Sequence, residues 1–271
     1  MSNSSKVALI GFGKLGSIIA RRLVETQVCH PRELWVCRQD SRRLKEIEAQ
    51  IPRCQARACL VEAVTDAEVV IVAVRPGDLA QVGRDLAPVL NPTQTVLSVV
   101  TGKTFLTLTR VLGTRRLVRA STSILAATGQ ARSVYMIEPS MATEVSGMAI
   151  QIIRSWGEAL ETVVENDVKT AIVAIGALPG LVAYGLGAFV AAIEAQGWSR
   201  EEALREVLLS TLGLCHRAFD QKLDLADIVR SVATKGGITQ AGLDVFAQLK
   251  LSEVIEAGIA AAITRTEELD G

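Results

Sequence analysis

Histidine is almost missing from this chain of 271 residues: His30 and His216 are its only two, and they lie far apart. A zinc site or a serine–histidine–aspartate triad therefore has little to build from, and no metal centre is expected. His216 reads as a packing or hydrogen-bonding residue of its own helix. Neither sign of charge is in excess, with 29 Lys plus Arg against 29 Asp plus Glu. No basic run stands out, which argues against a nucleic-acid or anionic-membrane partner. The five cysteines (Cys29, Cys37, Cys54, Cys59, Cys215) are odd in number and lack C-x-x-C spacing. They read as reduced thiols of a cytoplasmic protein. Met1–Ser5 is short and polar, so no signal peptide is expected. Apolar residues, at 49%, are plentiful enough to bury a core easily.

Glycine is where the sequence becomes specific. Val7–Ile10 is an apolar run long enough for one buried strand of a parallel sheet. Gly11-Phe12-Gly13-Lys14-Leu15-Gly16 follows as G-x-G-x-x-G, and Ser17–Val24 continues at helical spacing. In such a turn Gly11 permits the tight exit from the strand. Gly13 lets the backbone approach a pyrophosphate, and Gly16 lets helix and strand pack closely. The N–H groups opening the helix face the bound anion. A second strand at the expected distance, Leu34–Cys37, completes the context of a dinucleotide site. A site selective for NAD would place an acidic residue at the end of that strand. Here Arg38-Gln39-Asp40-Ser41-Arg42-Arg43 follows instead. Arg38, Arg42 and Arg43 can pair a 2′-phosphate and Ser41 can donate to it, with Asp40 turned to solvent. The expected cofactor is NADP, with NADPH preferred over NADH.

Strands and helices then alternate. A helix over 42–50 ends at Pro52, Gln55–Ala58 reads as a third strand, and Leu60–Val64 as a short helix. Val69–Val74 is the strongest strand signal, broken by Arg75-Pro76-Gly77-Asp78 before a helix that runs to Leu90. Thr95–Val100 is a fifth strand closed by Thr101-Gly102-Lys103-Thr104, followed by a helix at Phe105–Leu112 and a sixth strand at Arg116–Arg119. This pattern implies an α/β Rossmann domain with a doubly wound parallel sheet and right-handed crossovers. Arg132–Ile137, a helix at Met141–Trp156 and Leu160–Val164 extend it. The C-terminal ends of parallel strands surround a bound nicotinamide, so Val74, Arg75, Pro76, Thr101 and Gly102 are further candidate cofactor contacts.

After about Glu165 no convincing strand returns. Ala171–Ile193 holds no charged residue and by length alone qualifies as a membrane span. Its Gly176, Gly180, Gly185, Gly187 and Pro179, and its acidic flanks without a Lys or Arg cluster, read instead as a buried core or dimer helix. Ser199–Glu202 is a capping box that opens a helix to Phe219. Asp224–Val232 and Thr239–Leu249 follow as helices split by Thr234-Lys235-Gly236-Gly237, and Leu251–Glu267 closes the chain. We expect residues 1–164 to form the NAD(P)-binding domain and residues 165–271 a helical dimerisation and substrate domain. So apolar a helical segment is expected to be covered by the same surface of a second subunit, in a homodimer or larger homo-oligomer. The Lys235-Gly236-Gly237 turn offers backbone N–H groups that can hold the carboxylate of a small-molecule substrate. The Thr239 hydroxyl can donate a hydrogen bond to a substrate or simply cap its helix.

Over nearly the whole chain these segments resemble the pyrroline-5-carboxylate reductases. GFGKLG matches that family's G-x-G-K-M-G-like turn, and Ala73-Val74-Arg75-Pro76 its A-V-K-P. Ser98–Thr104 resembles its S-I-A-A-G-x-T, and Ala233–Leu243, ATKGGITQAGL, its T-S-P-G-G-T-T-I-A-G-L. The resemblance implies an NAD(P)H-dependent imine reductase that converts a cyclic imine such as 1-pyrroline-5-carboxylate to the amine, proline. It also implies an all-helical dimerisation domain in which the partner subunit's helices complete each active site. On this reading Thr239 is catalytic, and Lys235, Gly236, Gly237 and Thr239 hold the substrate.

The substrate side departs from the family. Its R-x-M-P-N-T-P falls at Arg119–Leu125, where only the arginine survives. Its S-G-S-G-P-A falls within VAIGALPG, residues 173–180, without the serines. Counting forward from Asp167 or back from the Ser199 capping box places that motif two residues apart. Lys235 stands for the proline of S-P-G-G-T-T. A paralogue with a changed substrate fits this pattern, as does a nucleotide-binding homologue without turnover. A third reading is a β-hydroxyacid-dehydrogenase-like enzyme, since that family places a catalytic lysine early in the interdomain helix, about where Lys169 sits.

Overall fold

A four-residue run that is apolar on both faces is stable only as a strand covered from both sides. The computed structural model describes residues 5–141 and 143–269. Residues 1–4, part of the polar start noted above, and residue 142, inside the helix expected at Met141–Trp156, lie outside the described residues. The runs form strands β1 (Val7–Ile10), β2 (Leu34–Cys37), β3 (Gln55–Arg57), β4 (Val69–Val72), β5 (Thr95–Ser98), β6 (Leu117–Ser121), β7 (Ala131–Ile137) and β8 (Gly157–Glu161). Between them lie helices α1 (Lys14–Glu25), α2 (Leu44–Gln50), α3 (Leu60–Val64), α4 (Leu79–Leu86), α5 (Phe105–Leu112) and α6 (Thr143–Arg154). Among the described residues the strands make one eight-stranded sheet in the order β3-β2-β1-β4-β5-β6-β7-β8.

Alternation along each strand divides the core into two layers. Val7, Leu9, Val69 and Ile71 pack on one face with Ile19, Leu23 and Trp156. Ala8, Ile10, Val70 and Val72 pack on the other with Leu79, Leu86, Leu108 and Leu112. Each fully buried side chain of this kind is worth roughly 1.5–3 kcal/mol, which makes the layers the main source of stability here.

The sheet is parallel from β3 through β6, but β7 runs antiparallel to β6, and β8 parallel to β7. The doubly wound parallel pattern therefore stops two strands early. The β6–β7 connection is too short for a crossover helix and holds only a 3-10 turn, Ile124–Thr128, ended by Gly129 at φ +71°. The last strand also lies at Gly157–Glu161 rather than the expected Leu160–Val164.

From Glu165 the chain is helical: α7 (Glu165–Ala171), a π-helical stretch at Ile172–Ala177, α8 (Leu178–Glu194), α9 (Arg200–Gln221), α10 (Leu225–Val232), α11 (Ile238–Gln248) and α12 (Leu251–Glu268). The capping box opens α9 as expected, with Ser199 Oγ accepting from Glu202 N at 3.3 Å and the Glu202 carboxylate accepting from Ser199 N at 3.2 Å. Glu165–Glu194 is one continuous helix, long and apolar enough to cross a membrane, with a mean hydropathy of 1.9 in its most apolar window.

The chain divides into two compact units. One runs to Pro179 and takes up the residues from Ala262 onward; the other is Gly180–Ala261. The second has a small core of Val190, Ala203 and Val207, joined by Leu186 and Ile193. Phe189 and Phe246 meet edge to face there, 6.2 Å apart.

Candidate functional site

Strand order reverses between β1 and β4, the place where an open α/β sheet leaves a crevice at its carboxyl edge. The glycine turn occupies that edge. Gly11 has φ +97°, and a Cβ there would lie 2.6 Å from the Ala73 carbonyl oxygen. Gly11 N donates to Cys37 O at 3.1 Å, and Ala73 N to Ile10 O at 2.9 Å, which ties the turn to both neighbouring strands. A Cβ at Gly16 would lie 2.2 Å from Gly11 O, so only glycine lets α1 pack this close to the turn. At Gly13, by contrast, a Cβ would meet nothing within 4 Å. That position is open, and α1 behind it has neither a side-chain cap nor an acidic residue in its first turn among the described residues. The N–H groups of residues 13–16 are thus available to an anion at the positive end of the helix dipole. The turn fits the pyrophosphate of a dinucleotide, and Phe12, Lys14 and Leu15 frame it, with Phe12 buried and Lys14 exposed.

Past β2, Arg38 Nη1 donates to the Phe12 carbonyl at 2.7 Å, bringing that guanidinium against the glycine turn. Ser41 and Arg42 lie in a 3-10 turn, both exposed. Asp40 does not simply face solvent. Its carboxylate accepts from Arg42 N at 3.2 Å and from Arg42 Nε at 3.0 Å. The Arg42 hydrogen bond holds that carboxyl below its usual range. Arg43 pairs with Glu46 at 2.7 Å. Val74 and Pro76 are half-buried beyond β4, and Arg75 is exposed, with no ion pair among the described residues. Thr101 is exposed and Gly102 buried, at φ +75°, where a Cβ would lie 2.6 Å from Leu269 Cβ. The residues expected to hold a cofactor therefore gather around one edge of the sheet.

A cavity of about 390 Å³ opens beside them, within the first unit. Leu15, Val99–Thr101, the stretch from Arg119 to Ile124, the π-helical Ile172–Ala177 stretch and the end of α12 contribute its walls. Its lining is mainly apolar. The polar exceptions are Thr101, Arg265, which pairs with Glu268 at 2.7 Å, Arg119, only 3% exposed, and the buried hydroxyls of Ser121, Thr122, Ser123 and Thr266. Arg119 Nη1 pairs with Glu165 Oε1 at 2.9 Å, and Phe105 N donates to the same oxygen. Sequence reasoning placed Arg119–Leu125 only as a diverged motif and did not select Ser121, Thr122, Ser123 or the α12 residues as lining. The arginine retained at the start of that motif was the available signal for the first group. Nothing in the sequence pointed to the second.

Lys235, Gly236, Gly237 and Thr239 belong to the second unit. Gly236 has φ +75°, and Gly237 is the N-cap of α11, so Thr239 is the second residue of that helix rather than its cap. Lys235 and Thr239 are exposed, and no side chain caps α11 among the described residues, leaving its first N–H groups open. Lys169 is tied to Glu267 at 2.9 Å and lines two smaller clefts, not the 390 Å³ cavity. Among the described residues no three of His, Cys, Asp and Glu are grouped to hold a metal ion.

Two family models match the chain. Residues 165–269 match pyrroline-5-carboxylate reductase dimerisation, and residues 6–102 match NADP oxidoreductase, coenzyme F420-dependent. A pyrroline-5-carboxylate reductase of Pseudomonas aeruginosa is 29% identical over 209 residues, 77% of each chain. One of Escherichia coli is 22% identical over 97% of this chain and 98% of its own. Among solved structures, Plasmodium falciparum pyrroline carboxylate reductase with NADP bound superposes with a TM-score of 0.90 at 18% identity, covering all of both chains.

Proposed function

The chain belongs to the pyrroline-5-carboxylate reductase family, and on that premise we propose that it is an NADPH-dependent enzyme reducing the C=N bond of a small cyclic imino acid. The family substrate, 1-pyrroline-5-carboxylate, with proline as product, is the starting case. The observation that carries the reading is Leu15, which belongs both to the glycine turn and to the cavity wall. A dinucleotide seated on the turn reaches that cavity with its other end. NADP supplies the hydride chemistry when bound in reduced form.

The chain's own residues have simpler tasks. The N–H groups of residues 13–16 hold the pyrophosphate, and Arg38, Ser41 and Arg42 face the 2′-phosphate. Val74, Arg75, Pro76, Thr101 and Gly102 border the nicotinamide end. The apolar walls around Val99, Val100 and Val173 exclude water from the imine carbon. The Gly237 N–H is bonded to Thr234 O at 2.9 Å, so the N–H groups of Lys235 and Gly236 and the uncapped first N–H groups of α11 hold the carboxylate, with Gly237 shaping the turn. Thr239 gives a proton to the ring nitrogen as the neighbouring carbon accepts hydride, so that C=N becomes a secondary amine.

We read residues 1–164 as the cofactor domain and 165–271 as the helical domain of a cytoplasmic homodimer or multiple of it, whose partner subunit completes each site. No nucleic acid or membrane takes part. The Lys169 alternative loses ground because that lysine is paired with Glu267 outside the cavity. A binding protein without turnover remains the second reading, favoured by the loss of every residue but Arg119 from the family's R-x-M-P-N-T-P. The test is NADPH oxidation with 1-pyrroline-5-carboxylate and related cyclic imines. Thr239→Val should slow turnover by about tenfold to a thousandfold with NADPH affinity unchanged. Unchanged turnover removes Thr239 from the mechanism, and failure of the unmodified protein to oxidise NADPH with any cyclic imine selects the binding reading.

A further inference from the structure

Strand alternation places Leu117, Arg119 and Ser121 on one face of β6, and Ser121 ends the strand at the cavity. Ser121 is only 8% exposed, and its hydroxyl makes no hydrogen bond with any described residue. Its neighbours are engaged. Thr122 Oγ1 accepts from Ser133 Oγ at 2.9 Å, and Ser123 Oγ accepts from Leu125 N at 3.3 Å. The sealed, unpartnered side-chain atoms among the described residues are Arg116 Nε and Trp156 Nε1, so the Ser121 hydroxyl opens onto the cavity it lines and is available to a ligand there. Arg119, two residues earlier, is committed to Glu165. The function left to this wall is therefore a neutral group that can both donate and accept. There is room for its partner. It lies in the cavity of about 390 Å³ that Ser121 lines.

Resting on the imine-reductase reading above, we propose that Ser121 is a specificity-determining residue that hydrogen-bonds a polar substituent on the substrate ring. The preferred substrate is then a cyclic imino acid bearing a hydroxyl or a comparable group, not the unsubstituted ring. Ser121 stands where the family's R-x-M-P-N-T-P has methionine, whose thioether donates no hydrogen bond and accepts only weakly. A wall built that way favours a bare ring. A serine there rewards a ring that carries a hydroxyl.

The test compares kcat/KM for 1-pyrroline-5-carboxylate and its ring-hydroxylated derivative. The unmodified protein should favour the hydroxylated imine by about tenfold, the worth of one well-placed neutral hydrogen bond. Ser121→Ala should bring the ratio to about one, Ser121→Met should invert it, and Ser121→Thr should keep it. NADPH affinity, read from bound-cofactor fluorescence, should be the same in all four proteins. Turnover of both imines at equal kcat/KM overturns the inference and leaves the reductase reading intact. A Ser121→Ala protein that loses NADPH affinity, with the ratio unmoved, assigns the hydroxyl to the cofactor and also overturns it. Where neither imine is turned over, proline and hydroxyproline are titrated against the NADP-loaded protein. Tighter binding of hydroxyproline that Ser121→Ala abolishes upholds the pocket while the reductase reading fails; equal binding overturns both.

Discussion

Most leucines and valines of the strand-bearing region disappear from solvent, while those of Gly180–Ala261 mostly do not. The sheet buries Val7, Leu9, Val69 and Ile71 between two helical layers. In the helical region Ile238 is 94% exposed, and Leu208, Leu212, Phe219 and Val254 also face outward. The first region closes its core with its own sequence. The second has an apolar surface that one copy does not cover, and it is this region that matches a dimerisation model. The difference separates two tasks, since binding a dinucleotide needs a rigid edge that one chain can build, whereas a broad apolar face needs a second chain.

The comparison is broken most directly by placing one charge in each region. Leu212→Glu, at a position 52% exposed, should raise the dimer dissociation constant at least about a thousandfold by sedimentation, as expected for a central apolar contact. Val61→Glu, at the similarly exposed 46% position in α3, should change nothing. An unaltered oligomer in Leu212→Glu would move the interface elsewhere. Without detergent the unmodified protein should sediment as a dimer or a multiple of it, and recovery only with detergent would turn the long apolar helix into a membrane element.

The converse substitution belongs to the glycine turn. Gly11→Ala combines a left-handed backbone with a Cβ 2.6 Å from the Ala73 oxygen. It should weaken NADPH binding about a hundredfold or more while leaving the sedimentation of the protein intact. A smaller effect is expected at the ribose end, where Arg38→Ser should lower the preference for NADPH over NADH about tenfold in paired titrations. Equal loss for both cofactors would confine Arg38 to its contact with the Phe12 carbonyl.

Smallest of all should be the difference among thiols. Burial pushes Cys29 up to about 12 and Cys37 and Cys54 up to about 11, while Cys59 and Cys215 are exposed. At neutral pH an aromatic disulfide reagent should label Cys59 and Cys215 quickly and the other three only on unfolding. Dimerisation that slowed only Cys215 would place it against the partner and sharpen the division between the regions.

Local signals carried much of this into the sequence. Val7–Ile10, Leu34–Cys37, Leu60–Val64 and Phe105–Leu112 were legible to the residue because strand and helix periods, glycines and prolines bound them. The last strand was not. The apolar Val163 and Val164 drew the expected strand forward, yet β8 is an edge strand in which Glu158 and Glu161, on opposite faces, are both exposed. Gly157 anchors it instead, since a Cβ there would lie 2.2 Å from the Ala131 oxygen. The reversal of β7 was equally hidden, because direction depends on the short 3-10 connection and not on the strand's composition. At the site, the glycine turn and the Arg38–Arg43 cluster were readable as motifs. Ser121 and Thr266 were not, since they meet the cavity only through the fold.

The wide turns at Ile172–Ala177 have a consequence for how this chain is related to its relatives. A π-helical turn takes one more residue than an α-helical turn, so it is where a helix can absorb an insertion without losing its path. Counting from Asp167 and counting back from Ser199 disagree by two residues across that stretch. The π turns give the disagreement a physical home: a length change accommodated inside a continuous helix, beside the cavity wall, in the segment where the family's serines are missing. Divergence of this kind is a change in helix length as well as a change of side chains. Removing one residue from the stretch should convert a π turn to an α turn and leave the path of the helix on either side in place.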